Sequence, residues 1–458
     1  MEPEKIRFGG GPSVTILHPL VAVTMAIAIV MILVIPRKYV VAPVLLTLFL
    51  FPQGQVIVLA GIHLNAYRII ILFGLARWVI SARSSPLVGG FNFMDRLCTF
   101  FFLSYFVINS LLYNLQSQAL IKNTGDLLDG LGCYILIRFL IRDREDIQRT
   151  IKILAAVALA SAISMLYEQR TGANPFALLG GMPLEVTRDG KVRSQAAFSV
   201  FITAGSFGAA LVPLLIWLWS QGRSKMITVL GILASTVMTV TCFASTTLAA
   251  YAAGVGALCL WPIRKHMRIV RWGIVVMLVG LHLVMHGPVW SIIEHIDLTG
   301  SSSSYHRYML IDNLIRHFRD WWLLGTTDNP NWGFDMWDTS NQYVAYAYTG
   351  GLLALALFIW IIARGFSRLG NARKLAEGNR SQEWFVWCLG ASLFSHVIGF
   401  LGVKYFDQMQ FAWFVLLAII SVAVFEVTGS VVPQVQEDLA PSYDVPVSSS
   451  RNMQIVKQ

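Results

Sequence analysis

The sequence predicts an all-α polytopic membrane protein with about 12 to 14 transmembrane helices. Hydrophobic residues make up 56% of its 458 residues and charged residues only 13%, whereas about a quarter of the residues in a soluble domain are charged. The mean hydropathy is +0.62. Apolar runs of about 17 to 22 residues recur along the chain, which is the length of a membrane helix and exceeds that of the alternating strands of a barrel.

The predicted membrane segments follow one another along the chain. They lie at roughly 14–35, 40–60, 62–80, 94–113, 120–141, 147–166, 196–218, 226–243, 246–262, 270–290, 341–363, 384–403 and 409–427. The first is interpreted as a membrane segment because it is longer than a signal sequence and lacks a small-residue cleavage site. Pro52, Gln53, Gly54 and Gln55 interrupt the second run, so that segment is either a spanning helix or a broken or re-entrant one.

The distribution of basic residues predicts which loops face the cytoplasm. The net charge is +10, and lysine and arginine are enriched in the cytoplasmic loops of membrane proteins and near anionic lipids. We therefore expect membrane lipids, and no nucleic acid, as partners of these charges. The two long segments 168–193 and 291–341 then lie on the outer face, where their basic residues go against the general bias. We expect the functional residues in these two loops.

This topology divides the chain into six parts. They are N-terminal transmembrane helices (1–167), a first outer loop (168–195), central transmembrane helices (196–290), a large outer loop (291–340), C-terminal transmembrane helices (341–428) and a cytoplasmic tail (429–458). The tail is polar, contains proline and has no periodicity, so we expect it to be disordered. No internal repeat is visible, which disfavours a transporter built from duplicated halves.

Metal or disulfide chemistry is not indicated by the sequence. It contains no DxD or HExxH motif and no outer carboxylate cluster with metal-ligand spacing. The cysteines all fall in apolar runs without a CxxC pair, and we expect them to be small core residues. They are Cys98, Cys133, Cys242, Cys259 and Cys388.

The large outer loop contains a strongly amphipathic segment. We expect a helix over residues 301–322 that begins near Ser303 or Ser304 and lies in the membrane interface. At helical spacing, one face has Ile311, Leu314, Ile315, Phe318, Trp321 and Trp322, and the other has Asp312, Asn313, Arg316, His317, Arg319 and Asp320. Arg307 falls on the apolar side in the first turn, where a guanidinium and free backbone N–H groups suit a phosphate or diphosphate. Alternatively, Arg307 extends to lipid head groups.

The first outer loop supplies further arginines as candidate anion-binding residues: Arg170, Arg188 and Arg193. Arg193 directly precedes a membrane segment, so it either anchors that helix or binds a diphosphate together with Arg307.

At the end of the large loop, Asp338 and Asn341 are either helix N-caps or residues of a pocket. The nearby tryptophans are either interfacial belt residues or stacking platforms for sugars. They are Trp321, Trp322, Trp332 and Trp337.

Ionisable residues also occur inside the predicted membrane segments. Lys122, Asp126 and Asp129 fall on one face of the fifth segment, where they form either a coupling-ion or proton site or ion pairs with one another. The same alternatives apply to Arg68 and to the pair Asp95 and Arg96.

Several short motifs occur in a defined order in the outer loops. EQRTGANPF is followed by RDGKVRSQAAF, ITAGSFGAALVPLLI, SYHRYMLIDNLI, a turn at Gly333 and Phe334, and DTSNQYVAYAYTGGLLAL. In this order they resemble the bacterial O-antigen ligase and polymerase superfamily, over residues 168–355. The resemblance implies a GT-C-like fold in the bacterial inner membrane. It also implies a metal-independent glycosyltransferase without cofactors that takes glycan from an undecaprenyl-diphosphate carrier, on the periplasmic face, to an acceptor glycan or lipid.

The resemblance also implies roles for particular residues. Arg193 and Arg307 match the arginines that hold the carrier diphosphate, and Asn341 matches the asparagine that opens the following helix. The family's catalytic histidine precedes that asparagine, whereas this chain has Ser340, and a serine hydroxyl alone is a poor base. His306 and Asp338 are the candidate bases, with Asp335 also near in sequence. A transporter or flippase of lipid-linked or amphiphilic substrates, or a non-catalytic scaffold for polysaccharide assembly, remain the alternatives.

Overall fold

The computed structural model describes residues 15–59, 62–81, 87–181, 187–188, 190–222, 224–285, 287–295 and 303–439. Most of this is helical, and two short β-hairpins are the strands of the described part. The predicted all-α class is therefore confirmed at this coarse level. The expected disordered tail lies outside the described residues from 440 onward, and the preceding stretch continues the last helix to Leu439.

The N-terminal half contains seven helices within the described ranges. They are α1 (Pro19–Val34), α2 (Arg37–Leu50), α3 (Ala66–Ser81), α4 (Phe93–Leu112), α5 (Ser117–Leu127), α6 (Cys133–Leu140) and α7 (Arg144–Thr171). A π-helical turn, Leu128–Gly132, joins α5 to α6, and the backbone stays helical through both junctions. Because α5 and α6 form one continuous rod, they account together for the fifth predicted membrane segment.

The C-terminal half continues with α8 to α17. These are α8 (Phe201–Ser220), α9 (Lys225–Thr241), α10 (Ser245–Cys259), α11 (Met267–Val284), α12 (Ile292–His295), α13 (Ser303–Arg316), α14 (Phe318–Trp321), α15 (Gln342–Leu375), α16 (Arg380–Gly399) and α17 (Asp407–Leu439). Short 3-10 turns lie at Pro175–Leu179, Trp261–His266, Val289–Ser291 and Asn329–Trp332. Every predicted membrane segment overlaps one of these helices or the α5–α6 rod.

Six helical stretches of the described chain are long and apolar enough to cross a membrane: Phe93–Leu112, Arg144–Thr171, Phe201–Ser220, Trp261–Val284, Gln342–Leu375 and Asp407–Gly429. The shorter apolar helices are α1, α9 and α10. These lengths are compatible with a multi-pass membrane protein. Helices α8 and α17 are largely buried by their neighbours, whereas α11 has no buried residue.

The second predicted membrane segment ends earlier than expected. Helix α2 stops at Leu50, and the chain then forms an antiparallel hairpin of β1 (Val56–Leu59) and β2 (Ile62–Asn65). Pro52 explains the stop, because proline restricts the preceding residue and lacks an N–H for the helix. A continuous helix over residues 40–60 is therefore wrong, and the chain continues as a hairpin instead of a second helical part. A second hairpin, β3 (Thr187–Arg188) and β4 (Lys191–Val192), lies in the first outer loop.

The cysteines are buried as expected with one exception. Cys98, Cys133, Cys242 and Cys388 are buried, but Cys259 is exposed at the end of α10.

We call the end of the helix bundle that carries residues 303–341 the outer end. Near this end α15 is broken at Gly351, which has φ 65° and ψ −169°. The Leu352 N–H donates to the Trp322 carbonyl (2.8 Å), and the Thr326 N–H donates to the Tyr348 carbonyl (2.7 Å). The outer loop thus satisfies backbone groups that the break removes from the helix, as a break inside a membrane requires. These bonds attach the loop to α15.

The amphipathic segment of the outer loop is shorter than predicted, and its faces were partly wrong. His317 separates α13 from α14. Asp312 and Asn313, expected on the wet face, are buried, whereas the exposure of Ile315 (48%) and Phe318 (44%) is compatible with an apolar face toward lipid.

Local hydrogen bonds explain the buried polar residues of α13. The Asp312 carboxylate pairs with Arg316 (2.6 Å), and the Asn313 amide donates to the Trp332 carbonyl (3.2 Å). The helix packs through the buried Leu310 against Tyr348 of α15. Since partners are present, burying these polar groups carries little penalty.

Candidate functional site

The segment 338–342 joins the outer loop to α15 and is tied to the turn between α16 and α17. The Asn341 side-chain oxygen accepts hydrogen bonds from two N–H groups in the first turn of α15, at 2.9 and 3.2 Å. Its amide donates to the Leu401 carbonyl (3.1 Å), and the Gln342 N–H donates to the Phe400 carbonyl (2.8 Å). Asn341 is therefore an N-cap whose side chain is only 1% exposed. Its capping interpretation is confirmed, and its part in substrate binding stays a prediction.

His306 lies beside this segment, although 32 positions separate it from Asp338 in the chain. Its Nε2 is 3.0 Å from the Asp338 backbone carbonyl. A carbonyl oxygen can only accept, so Nε2 carries the proton, and Nδ1 is the basic nitrogen of the neutral ring. The structure thus brings together the two candidate bases, one from α13 and one from the end of the loop.

Ser340 directly precedes the N-cap Asn341. Its hydroxyl donates to the Asp338 carboxylate at 2.7 Å. This bond holds one oxygen of the Asp338 carboxylate in place and uses the hydroxyl hydrogen of Ser340. Ser340 therefore positions the Asp338 side chain.

Arg307 is half-buried in α13, directly after His306. Adjacent residues of a helix point about 100° apart, so the two side chains face different directions. Binding of a diphosphate by Arg307 stays a prediction.

The side chain of Arg193, which precedes α8, lies against the turn between α9 and α10. Its Nη2 donates to the Phe243 carbonyl (2.6 Å), its Nε donates to the Cys242 carbonyl (3.4 Å), and its guanidinium stands 3.9 Å from the centre of the Phe201 ring. Carbonyls at a helix end lack helical partners, and arginine satisfies them well. Arg193 thus has a structural role at the outer end, and a contact with a diphosphate remains to be tested.

Glu168 holds the segment that follows Arg193. Its buried carboxylate, at the outer end of α7, accepts hydrogen bonds from the N–H groups of Gln195 (3.0 Å) and Ala196 (3.2 Å). Asn174 donates to the Ala196 carbonyl at 2.9 Å. The EQRTGANPF and RSQAAF motifs are therefore packed against each other. Sequence reasoning missed this role, because the spacing of 27 residues carries no periodic signal.

The other candidate arginines of the first outer loop are less defined. Arg170 is exposed in the last turn of α7. The backbone of Arg188 lies in β3, but its side chain is outside the described residues. Neither observation tests their predicted role.

The tryptophans of the large loop differ in accessibility. Trp321 is 3% exposed, and its indole N–H donates to the Leu314 carbonyl at 2.7 Å, so its ring is part of the packing and is not a sugar platform. The Trp332 ring stacks on His317 with centroids 4.1 Å apart. Trp322 and Trp337 are 45% and 69% exposed and can act as belt or stacking residues.

The ionisable residues of the α5–α6 rod form ion pairs, as the pairing interpretation expects. Asp126 lies 2.6 Å from the Lys122 ammonium and 3.8 Å from Arg68. Arg68 also pairs with Asp129, at 2.9 and 2.7 Å. Lys122 is the most accessible of the four residues, with 51% of its side chain exposed.

Asp95 does not pair with its sequence neighbour Arg96. Its carboxylate contacts the buried Arg138 guanidinium (3.2 Å) and accepts from the Tyr134 hydroxyl (2.6 Å). The cationic partner of Asp95 is thus a residue of α6 that lies 43 positions away in the chain.

Lys404, in the turn between α16 and α17, was not considered from the sequence. It is exposed. Within the described residues, no cluster of three histidine, cysteine, aspartate or glutamate side chains is placed to hold a metal ion.

The chain was compared with known proteins. Neither a protein-family model nor a curated protein matches it.

Proposed function

We propose that this protein is a membrane glycosyltransferase of the O-antigen ligase and polymerase type. It transfers or polymerises glycan from an undecaprenyl-diphosphate carrier during surface polysaccharide biosynthesis at the bacterial inner membrane, with its outer end in the periplasm. The observation that supports this proposal most is the contact of His306 with the Asp338 carbonyl at 3.0 Å. Through this contact an imidazole lies beside residues 338–341. In the family that the sequence resembles, a histidine stands directly before the asparagine that corresponds to Asn341.

In this proposal His306 is the general base. Its Nδ1 accepts the proton of the acceptor hydroxyl while that oxygen attacks the anomeric carbon, and the bond from this carbon to the carrier diphosphate breaks. The negative charge that develops on the leaving diphosphate is met by Arg193 and Arg307. Asp338, positioned by Ser340, stabilises the protonated imidazole or orients the acceptor.

The experiment measures glycan transfer by purified protein in nanodiscs, with carrier-linked glycan and acceptor and without any ion gradient. We expect His306→Ala and His306→Asn both to lower the rate by about 10²- to 10⁴-fold. Asparagine has no basic nitrogen, and its shorter side chain does not keep the Nε2 bond to the Asp338 carbonyl. His266→Asn, exposed at the opposite end of the bundle, is the matched control and should transfer glycan normally. Full activity of His306→Asn would refute the assignment of the base.

Arg307→Ala should abolish polymer formation while the protein remains in the membrane. The transporter alternative gains support if the reconstituted protein moves carrier-linked glycan across vesicles and transfers none. The scaffold alternative gains support if alanine at both Arg193 and Arg307 leaves polysaccharide output unchanged.

A further inference from the structure

The end of the bundle opposite to the outer end contains a recess lined by charged and aromatic side chains. It has a volume of about 560 Å³ and lies between the turn that joins α10 to α11 and the turn that joins α15 to α16. Its lining includes three cations, two carboxylates and an indole: Arg264, Lys265, Arg380, Glu377, Glu383 and Trp261. Two basic turns that are far apart in the chain thus meet at one place.

Glu383 fastens the two turns to each other. Its carboxylate, only 4% exposed, lies 3.2 Å from Nη2 of Arg264 and 3.7 Å from Nη1 of Arg373. The Arg264 guanidinium also stands 4.1 Å from the centre of the Trp261 ring, and its Nη1 donates to the Trp261 carbonyl at 3.4 Å. One wall of the recess is therefore held in place by a buried ion pair and does not depend on a mobile side chain.

The recess carries more positive than negative charge. The buried carboxylate of Glu383 is shared by two guanidinium groups. The second carboxylate, that of Glu377, pairs with Lys265 at 2.6 Å, and more than half of each of these two side chains is exposed. Arg380 is exposed and forms no ion pair with any residue that the structure describes. Four cations thus surround two carboxylates, and the excess positive charge attracts an anion.

The surface next to the recess is apolar and suits the acyl chains of a lipid. Helix α11 follows directly after the α10–α11 turn and has no buried residue. A second recess, of about 310 Å³, lies in its first turns and is lined by Arg268, Arg271, Trp272 and Val275. Cations and indoles beside an exposed apolar helix are typical of the membrane interface, where lipid head groups meet acyl chains. A soluble anion would use only the charged part of this surface.

We propose that the recess binds the phosphate of an anionic phospholipid of the cytoplasmic leaflet, whose acyl chains lie along α11. Lys265 and Arg380, the two accessible cations, contact the phosphate oxygens. Basic pockets between membrane helices on the cytoplasmic side bind anionic head groups in this way. The site lies at the end of the bundle opposite to His306, so it goes beyond the proposed glycan transfer and does not depend on it.

Lipid binding is measured by native mass spectrometry of the purified full chain in detergent, titrated with phosphatidylglycerol or phosphatidylcholine. The wild type should bind phosphatidylglycerol more tightly. Each basic residue beside an anionic head group contributes about fivefold in affinity, so Lys265→Gln combined with Arg380→Gln should weaken phosphatidylglycerol binding by about 30-fold. Lys265→Arg combined with Arg380→Lys keeps both charges and should retain binding. Lys225→Gln, exposed between α8 and α9 at the same end of the bundle, is the control and should bind as the wild type does.

Equal affinity of the wild type for the two lipids would overturn the proposal, and so would wild-type affinity in the double glutamine variant. Size-exclusion chromatography shows whether that variant is folded. If it is not, Arg380→Gln alone, which removes no ion pair, decides the question and should weaken binding by about fivefold. Glycerol 1-phosphate, the head-group phosphate without acyl chains, should not displace phosphatidylglycerol at equal concentration. If it does, the recess takes a soluble phosphate and the lipid assignment is refuted.

Discussion

The break in α15 allows a comparison of two glycines in the same helix. At Gly351 the backbone has φ 65° and ψ −169°, a conformation that essentially only glycine adopts, so alanine is strained by about 1 to 3 kcal/mol. A Cβ at Gly351 would also lie 2.5 Å from the Leu323 carbonyl oxygen. Relieving this overlap moves the outer loop and breaks the bond from the Leu352 N–H to the Trp322 carbonyl, which costs about another 1 to 3 kcal/mol.

Gly351→Ala should therefore lower the free energy of unfolding by about 2 to 6 kcal/mol. Gly370→Ala is the matched control, because Gly370 is exposed on the same helix and its Cβ would meet no atom within 4 Å. Alanine in an ordinary helical position stabilises by about 0.5 to 1 kcal/mol relative to glycine. The same substitution is thus expected to have opposite signs at the two positions.

The assay is thermal unfolding of each purified variant in detergent, followed by size-exclusion chromatography. Trypsin cleavage at Arg319, which is exposed in the outer loop, reports separately on the attachment of the loop. Gly351→Ala should unfold at a lower temperature and be cleaved faster, while Gly370→Ala should match or exceed the wild type. A Gly351→Ala protein that is as stable and as resistant as Gly370→Ala would refute the account of the loop and the helix break.

Three further variants test the packing by reversible denaturation in mixed micelles. Arg138→Leu leaves the Asp95 carboxylate, which is 1% exposed, without its guanidinium partner. It should lower the free energy of unfolding by about 3 to 5 kcal/mol. Adding Asp95→Asn should recover part of this loss, and no recovery would contradict the pairing. Glu168→Ala removes the acceptor of two N–H groups and should cost about 1 to 3 kcal/mol for each, whereas wild-type stability would show that the carboxylate does not hold the loop. Trp321→Ala should lower the free energy of unfolding by about 3 to 5 kcal/mol because Trp321 is 3% exposed. Trp337 is 69% exposed, so Trp337→Ala should change it by less than about 0.5 kcal/mol. Equal effects of the two substitutions would contradict the packing.

The helices were predictable because the length of an apolar run is a local property. A run of about 20 apolar residues must be helical in a membrane whatever surrounds it. The cap at Asn341 was predictable for the same reason, since a cap depends on the residues that follow it directly. The pairing of Lys122 with Asp126 followed from their spacing of four along one helix.

Contacts between distant segments were not predictable from these patterns. The faces of α13 were assigned by polarity alone, and the partner that permits burial of Asn313, the Trp332 carbonyl, lies 19 positions away in the chain. Asp95 pairs with Arg138 of another helix and not with its sequence neighbour Arg96. The break at Gly351 depends on hydrogen bonds between α15 and the outer loop. The apolar run of α15 continues across this position, so the apolar pattern does not reveal the break.

The sequence by itself determined a nearly all-α chain of apolar helices and the outer segments in which polar side chains gather. Only the tertiary structure decided that His306 contacts the Asp338 carbonyl and that Glu168 holds the segment after Arg193. The physical reason is that helix formation and hydrophobic length are encoded over a few turns of chain. A site, in contrast, is assembled by packing residues whose separation along the chain carries no periodic signal.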